Sequence, residues 1–255
     1  MTYTVQRFGW IRDLPDQRDH LYSAPIAIAT ALPASMDLRP QCPPVYDQGQ
    51  LGSCTANGIG ALIQFDRKKQ NFTPDFAPSR LFIYYNEREI EHTVESDSGA
   101  MIRDGIKSVA KRGVCKEDTW PYDIAKFREK PGPQCYDEAR KYRAVQYQRI
   151  IRNLNQMKGC LASGYPFVFG FAVYESFLSA EVARTGIVPM PQPTEEFAGG
   201  HCVTAVGFQD DKQCFIVRNS WGTGWGMQGY CLMPYAYLMQ SQLSADFWTI
   251  RMLSH

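Results

Sequence analysis

The chain has 255 residues, 44% of them hydrophobic and 21% charged, a composition that suits a soluble globular protein with a full core. Twenty-seven basic residues against 26 acidic ones leave a formal charge of +1, which removes the electrostatic motive for binding nucleic acid or an anionic membrane. No apolar run approaches the roughly 20 residues of a membrane helix, and the longest candidate, residues 165–174, contains Pro166 and Gly170.

Residues 1–31 read as an extension ahead of the main domain. Its first twenty residues include Arg7, Arg12, Asp13, Asp16, Arg18 and Asp19 and do not resemble a secretory leader. Residues 24–34 are small and apolar but carry Pro25 and Pro33, and read as a linker. Phe8, Trp10, Ile11 and Leu14 give the extension apolar surface with which to cover a cleft or to pack on the back of a lobe; its shortness favours packing.

Residues 41–52, with Pro43, Pro44, Gly49 and Gly52, are loop-like. Beyond them Ala56, Ile59, Ala61, Leu62, Ile63 and Phe65 fall on helical spacing, which puts Cys54 at or near a helix N-terminus. Two more helices are expected over 79–91 and 101–112, the second closed by Gly113. From residue 165 the pattern turns to strands, over 167–173, 202–208, 214–218 and 229–233, separated by Asp210-Asp211 and the glycine-rich run 222–226. A helical first half followed by a β second half predicts an α+β protein of two lobes with a cleft between them.

Eight cysteines occur, none in C-x-x-C spacing, so neither a zinc ribbon nor a thioredoxin-type site is supported. One catalytic thiol would leave an odd remainder, which argues against a fully paired disulfide framework and favours a reducing, cytoplasmic location, with non-classical export as the alternative.

A thiol attacks as its anion, and an ordinary cysteine with a pKa near 8.5 is only a few per cent ionised at neutral pH. A helix N-terminus favours the anion by roughly 0.3–2 kcal/mol, too little by itself, so an imidazolium partner is required. Of the four histidines, His20 lies in the extension, His92 in the charged stretch 89–92, and His255 is the last residue. His201 follows Gly199-Gly200 and opens an apolar strand, and eighteen residues later the chain reads Asn219-Ser220-Trp221-Gly222-Thr223-Gly224-Trp225-Gly226.

Gln48 six residues before Cys54, the Gly-His strand and the Asn-Ser-Trp run, in that order, resemble the papain family of cysteine peptidases. The likeness covers roughly residues 32–253 and includes the entry Leu32-Pro33-Ala34-Ser35-Met36-Asp37. It implies a papain-like fold: a helical lobe over about 42–143, and an antiparallel β-barrel lobe over about 144–255 together with 32–41. It also implies Cys54 as nucleophile, His201 as base and then acid, Asn219 orienting the imidazole, Gln48 as an oxyanion donor and Trp221 as a shield over the His–Asn bond. Ser98, Gly99, Gly170, Gly200 and Trp221 would contact substrate, Ser98-Gly99 by main-chain pairing with an extended peptide. No metal and no cofactor is implied, and the partners are peptides or proteins, with self-inhibition by the extension as a further expectation.

Several positions depart from the family pattern. Leu51 stands where a disulfide cysteine is usual, Thr55 replaces an aromatic residue, Gly200 replaces the Asp or Asn that often precedes the histidine, and only Cys135 matches half of a customary disulfide pair. The short, non-helical extension suggests a bacterial-type member. No long insertion between Cys54 and Gly99 blocks an end of the cleft, which favours endopeptidase action. The alternatives are acyl transfer to an amine on the same residues, or a catalytically silent peptide-binding module.

Overall fold

The computed structural model describes residues 7–254, so residues 1–6 of the extension and His255 lie outside it. In chain order the elements are β1 (Trp10–Ile11), α1 (Ile26–Ala29), β2 (Ser35–Asp37), α2 (Cys54–Lys69), α3 (Arg80–Glu91), β3 (Ala100–Met101), α4 (Ile102–Lys111), α5 (Pro133–Ala139), β4 (Ala144–Ile150), α6 (Leu154–Ala162), β5 (Phe167–Tyr174), α7 (Ala180–Thr185), β6 (Phe197–Gln209), β7 (Cys214–Arg218), β8 (Tyr230–Pro234), α8 (Tyr235–Met239) and β9 (Ser244–Leu253).

The helices lie where their local signals put them. Ser79 Oγ accepts from Phe82 N–H and opens α3, and His92, in the left-handed region with φ 59°, closes it. Residues 54–67 of α2 are buried on every face, because this helix stands between the helical half and the sheet and packs against both. Its Ile59, Leu62 and Ile63 share one core with Ile83, Ile106 and Val109 of the neighbouring helices, and with Val168, Trp248 and Ile250 from strands β5 and β9.

The main sheet has seven strands in the order β4-β9-β5-β6-β7-β8, with β2 beside β6, and every pairing is antiparallel. Phe167, Phe169 and Phe171 alternate along β5 and gather Phe215, Phe247 and Phe177 around them to form the second core. Strand β6 begins five residues earlier than the apolar run at 202 suggests, because Phe197–His201 pair with β5 from Tyr174 back to Phe171. Among the elements that carried no expectation are β4, α6 and β9. The mixed polar composition of residues 144–150 hid an edge strand whose inner face meets the helical half.

The linker stretch contains the short helix α1, which packs on α6. All eight cysteines are free thiols. Among the described residues, no helix is long and apolar enough to cross a membrane.

Candidate active site

Two loops join to build the site. Gln48 N–H donates to Ser220 O at 2.9 Å, Asp47 bridges Trp221, and Gly222 N–H donates to Tyr46 O at 3.0 Å, so the segment before α2 is zipped to the segment after β7. This brings Gln48, Cys54, Asn219 and Trp221 to one place although more than 160 residues separate the first two from the last two. Arg80 braces the arrangement: its Nη1 donates to Asp47 O at 3.1 Å and to Asn57 Oδ1 at 3.0 Å, and its guanidinium pairs with Glu117. Tyr122 OH donates to Gln48 O at 2.9 Å.

Cys54 is the first residue of α2 and is fully buried, its sulfur meeting the backbone N–H groups of Cys202, Gly9 and Thr55. Cys202 follows His201 on β6, so the thiol abuts the strand that carries the imidazole. His201 Nε2 is 2.8 Å from Asn219 Oδ1, and Nδ1 has no hydrogen-bond partner among the described residues, which leaves it to take a proton. Trp221 stacks on the His201 ring with centroids 4.9 Å apart and covers that bond. Gln48 Oε1 accepts from Ser220 Oγ at 2.7 Å, which directs Nε2 toward the cleft.

Residues 7–11 run through the cleft itself. Gln48 Nε2 donates to Arg7 O at 3.1 Å, Gly9 N–H meets the Cys54 sulfur, and Phe8 lies with its ring centroid 6.2 Å from His201 and 6.5 Å from Trp221. Strand β1 pairs in parallel with β3, and Ala100 N–H donates to Gly9 O at 2.8 Å. The fit needs glycine on both sides. A Cβ on Gly9 would lie 1.7 Å from Gly52 O, and one on Gly99 2.2 Å from Gly9 O. The expectation that the extension packs on the back of a lobe is therefore corrected for residues 7–11. Residues 14–21 follow the outside of the molecule, where Asp19 pairs with Arg103 and Arg149, and Tyr22 N–H donates to Arg149 O.

Covering the cleft removes water from the reacting groups. Burial pushes the Cys54 thiol up to about 12 and His201 down to about 4, so covering the cleft favours the neutral form of each. Glu87, fully buried beneath α2 and accepting from Thr55 Oγ1 at 2.8 Å, is likewise pushed well above the carboxylate range by burial.

Main-chain pairing falls one residue later than the sequence suggests. Gly99 N–H is taken by Tyr84 OH at 3.1 Å and Ser98 Oγ turns back to Thr93 Oγ1, so the chain in the cleft pairs with Ala100 instead. Gly170 and Gly200 both lie against the Trp10 ring. Of the remaining histidines, His92 ends α3, and His20 offers its carbonyl to Arg149 N–H. Sequence reasoning did not single out Ser220, Tyr122, Arg80 or Asp246. Ser220 stood inside the Asn-Ser-Trp run; the others carry no local signature.

Residues 32–246 match the model of the papain family cysteine protease, and the chain belongs to that family. A crystal structure of xylellain, a cysteine protease from Xylella fastidiosa, is 44% identical, superposes with a TM-score of 0.91 and is matched over 97% of this chain and 98% of its own. An uncharacterized peptidase C1-like protein of Acanthamoeba polyphaga mimivirus is 45% identical over 98% of this chain and 88% of its own length. Procathepsin B of Trypanosoma congolense, at 20% identity and a TM-score of 0.72 over 88% of this chain and 79% of its own, shares the fold. The protein is a papain-like cysteine peptidase, a hydrolase of α+β fold.

Proposed function

We propose that the chain is an endopeptidase held closed by its own residues 7–11, with Cys54 as nucleophile, His201 as base and then acid, Asn219 as the orienting residue, and Gln48 Nε2 together with Cys54 N–H as the oxyanion donors. Cys54 adds to a peptide carbonyl, His201 protonates the departing amine, and water then releases the thioester as a free acid. Asn219 Oδ1 on Nε2 keeps that nitrogen protonated, so Nδ1 is the one that exchanges the proton.

The observation that carries the reading is the pair of contacts made by the extension: Arg7 O on Gln48 Nε2, and Gly9 N–H on the Cys54 sulfur. Cleavage needs one carbonyl group with its oxygen on the oxyanion donors and its carbon at the sulfur. Here the oxygen belongs to Arg7, whereas the sulfur is met by the N–H of the next peptide unit, Phe8–Gly9, so the two contacts fall on different peptide groups. The extension thus fills the site as a peptide would, with its contacts to the oxyanion donor and to the sulfur divided between two peptide groups.

Removal of this segment exposes the cleft and returns water to the thiol and the imidazole, which favours their charged pair over the neutral one. The test is labelling by a thiol-reactive epoxide together with turnover of a fluorogenic peptide. The chain with residues 7–11 displaced labels and cleaves, the intact chain does so slowly, and Cys54→Ala does neither. Labelling that persists in Cys54→Ala removes Cys54 as nucleophile, and equal turnover with and without the segment removes the self-inhibition.

A further inference from the structure

Cys54 and Ala100 have to be held in register for a bound peptide to be attacked. One carries the sulfur, and the other carries the N–H that pairs with Gly9 O at 2.8 Å and would pair with an extended substrate in its place. They stand on separate segments, and all eight cysteines are free, so no disulfide joins the two.

Asp97 supplies the link. Its Oδ1 accepts from Gly52 N–H at 3.0 Å, two residues before Cys54, and from Tyr84 OH at 2.5 Å. The same hydroxyl accepts from Gly99 N–H at 3.1 Å, one residue before Ala100. Hydrogen bonds thus run from Gly52 through Asp97 and Tyr84 to Gly99. Gly52 N–H also reaches Oδ2, at 3.2 Å. Among the described residues, the hydrogen bonds between residues 48–54 and residues 93–101 all end on this carboxylate. The contact needs glycine at 52, since a Cβ there would lie 2.9 Å from Oδ1.

The carboxylate is itself held from behind. Arg88, fully buried in α3, donates through Nη1 to Val94 O at 2.8 Å and to Ser96 O at 3.0 Å, which fixes the loop that carries Asp97. Tyr84 stands one turn before Arg88 on the same helix and is also fully buried. On the outer side Oδ2 meets Arg7 Nη1 at 3.0 Å, but the Arg7 side chain is 65% exposed against 6% for Asp97. An ion pair with so exposed a partner is weak, and Arg7 belongs to the segment that covers the cleft. Gly52 N–H and Tyr84 OH belong to the body of the molecule, so the link persists when the cleft opens.

We infer that Asp97 is a positioning residue of this peptidase: its carboxylate fixes the loop before Cys54 against the strand edge at Ala100, so that a peptide paired there presents its carbonyl carbon to the sulfur. A displacement of about 1 Å between such groups costs up to about 10²-fold in rate. The inference rests on the reading of Cys54 as nucleophile and of the covered cleft as the substrate's.

The test uses the full chain carrying Arg7→Ala and Trp10→Ala, which deprives the covering segment of its ion pair to Asp97 and of the ring that rests on Gly170 and Gly200. Two reagents are compared on Cys54 by mass spectrometry: a peptidyl epoxide, whose reaction requires peptide and sulfur to be aligned, and iodoacetamide, which requires only the thiolate. Asp97→Ala is expected to lower the ratio of the epoxide rate to the iodoacetamide rate by about tenfold to a hundredfold, with the iodoacetamide rate itself changed less than about twofold. Asp97→Asn, whose amide oxygen accepts the same two donors, keeps the ratio within about threefold. An unchanged ratio in Asp97→Ala overturns the inference. So does a parallel fall of both rates, which assigns Asp97 a structural role, or an Asp97→Asn loss equal to that of Asp97→Ala, which makes charge rather than the link decisive. If Asp97→Ala does not fold, Tyr84→Phe decides. It keeps the ring and cuts the connection to Gly99, so a ratio lowered by about threefold to tenfold supports the inference and an unchanged one overturns it. Hydrolysis of a fluorogenic peptide is followed alongside. Should no chain cut it, the endopeptidase reading fails by itself, while the labelling ratio still decides the alignment.

Discussion

Ser220 Oγ donates a hydrogen bond of 2.7 Å to Oε1 of Gln48, and together with the 2.9 Å bond from Gln48 Nε2 to Leu51 O this contact fixes which end of the carboxamide faces the cleft. With the oxygen held by Ser220, the Nε2 donor points to the position now occupied by Arg7 O. Gln48→Ala is expected to lower kcat by about 10²–10³, the usual loss for one oxyanion donor. Ser220→Ala keeps the donor, still held at Nε2 by Leu51 O, but removes the hold on Oε1, and a loss of about threefold to tenfold in kcat with little change in KM is expected, since orientation alone is impaired. Steady-state kinetics on both variants check this; a Ser220→Ala loss as large as that of Gln48→Ala would mean that Ser220 acts by some other route.

Gly9 is the point at which the extension is most tightly held. Its missing Cβ would collide with Gly52 O, a backbone atom that has little room to move. Gly9→Val should therefore lift residues 7–11 from the cleft, raising turnover of a small fluorogenic peptide severalfold and lowering the melting temperature as the covered surface becomes exposed. Unchanged turnover alongside a lowered melting temperature would assign the segment a purely structural role.

Thiol reactivity supplies an independent check. In the covered site burial holds the Cys54 thiol at about 12, so almost none of it is ionised at neutral pH. Alkylation of Cys54 by iodoacetamide should accordingly be slow in the intact chain and at least tenfold faster in Gly9→Val at pH 7, with the site of modification read by mass spectrometry. Equal rates in the two chains would show that the thiol is as accessible and as ionised with the segment in place as without it.

The covering segment should also respond to pH. Asp13 is held up to about 7, first by burial and next by the neighbouring Asp246, against hydrogen bonds from Arg103 N–H and Trp248 Nε1 and the charge of Arg103. Asp246 in turn faces Arg149 and Arg12. A released segment has an exposed Asp13 with the ordinary value of 3.8. Docking therefore takes up a proton: it is fully favoured below about pH 4 and weakens as the pH rises to about 7. Asp16 acts in the opposite sense, since Arg18 and Lys107 hold it low, and it weakens docking only under strong acid. The ratio of turnover in the intact chain to turnover in Gly9→Val should rise from pH 4 to 7, and Asp13→Asn, neutral throughout, should flatten it. A ratio independent of pH in the intact chain would rule this coupling out.

Much of the fold was legible because it rests on local signals. The helical spacing after Cys54, the cap at Ser79 and the apolar run at 167–173 each declare themselves within a few residues, and α2, α3 and β5 lie there. Strands β4 and β9 were missed because polar residues interrupt both, Gln146, Gln148 and Arg149 in the first and Ser244, Asp246, Thr249 and Arg251 in the second, so neither the apolar run nor the clean alternation that marks a strand is present. At the proposed site, Gln48, Cys54, His201 and Asn219 were singled out from residue type and order. Ala100, Ser220 and Asp246 were not, since each owes its position to a backbone register or a bulge.

What the amino-acid sequence determined by itself is the set of reactive residue types and their local settings: a cysteine opening a helix, a histidine within a strand, and an asparagine and tryptophan close together after a strand, each specified by neighbours close along the chain. What only the tertiary structure decided is the state of that chemistry. Trp10 and Asp246 lie 236 residues apart and Gln48 and Arg7 lie 41 apart, and these contacts close the cleft. Contacts at such separations leave no periodicity or spacing to read, because they are fixed by how two halves of the molecule approach each other and by the glycines that let a third strand pass between them.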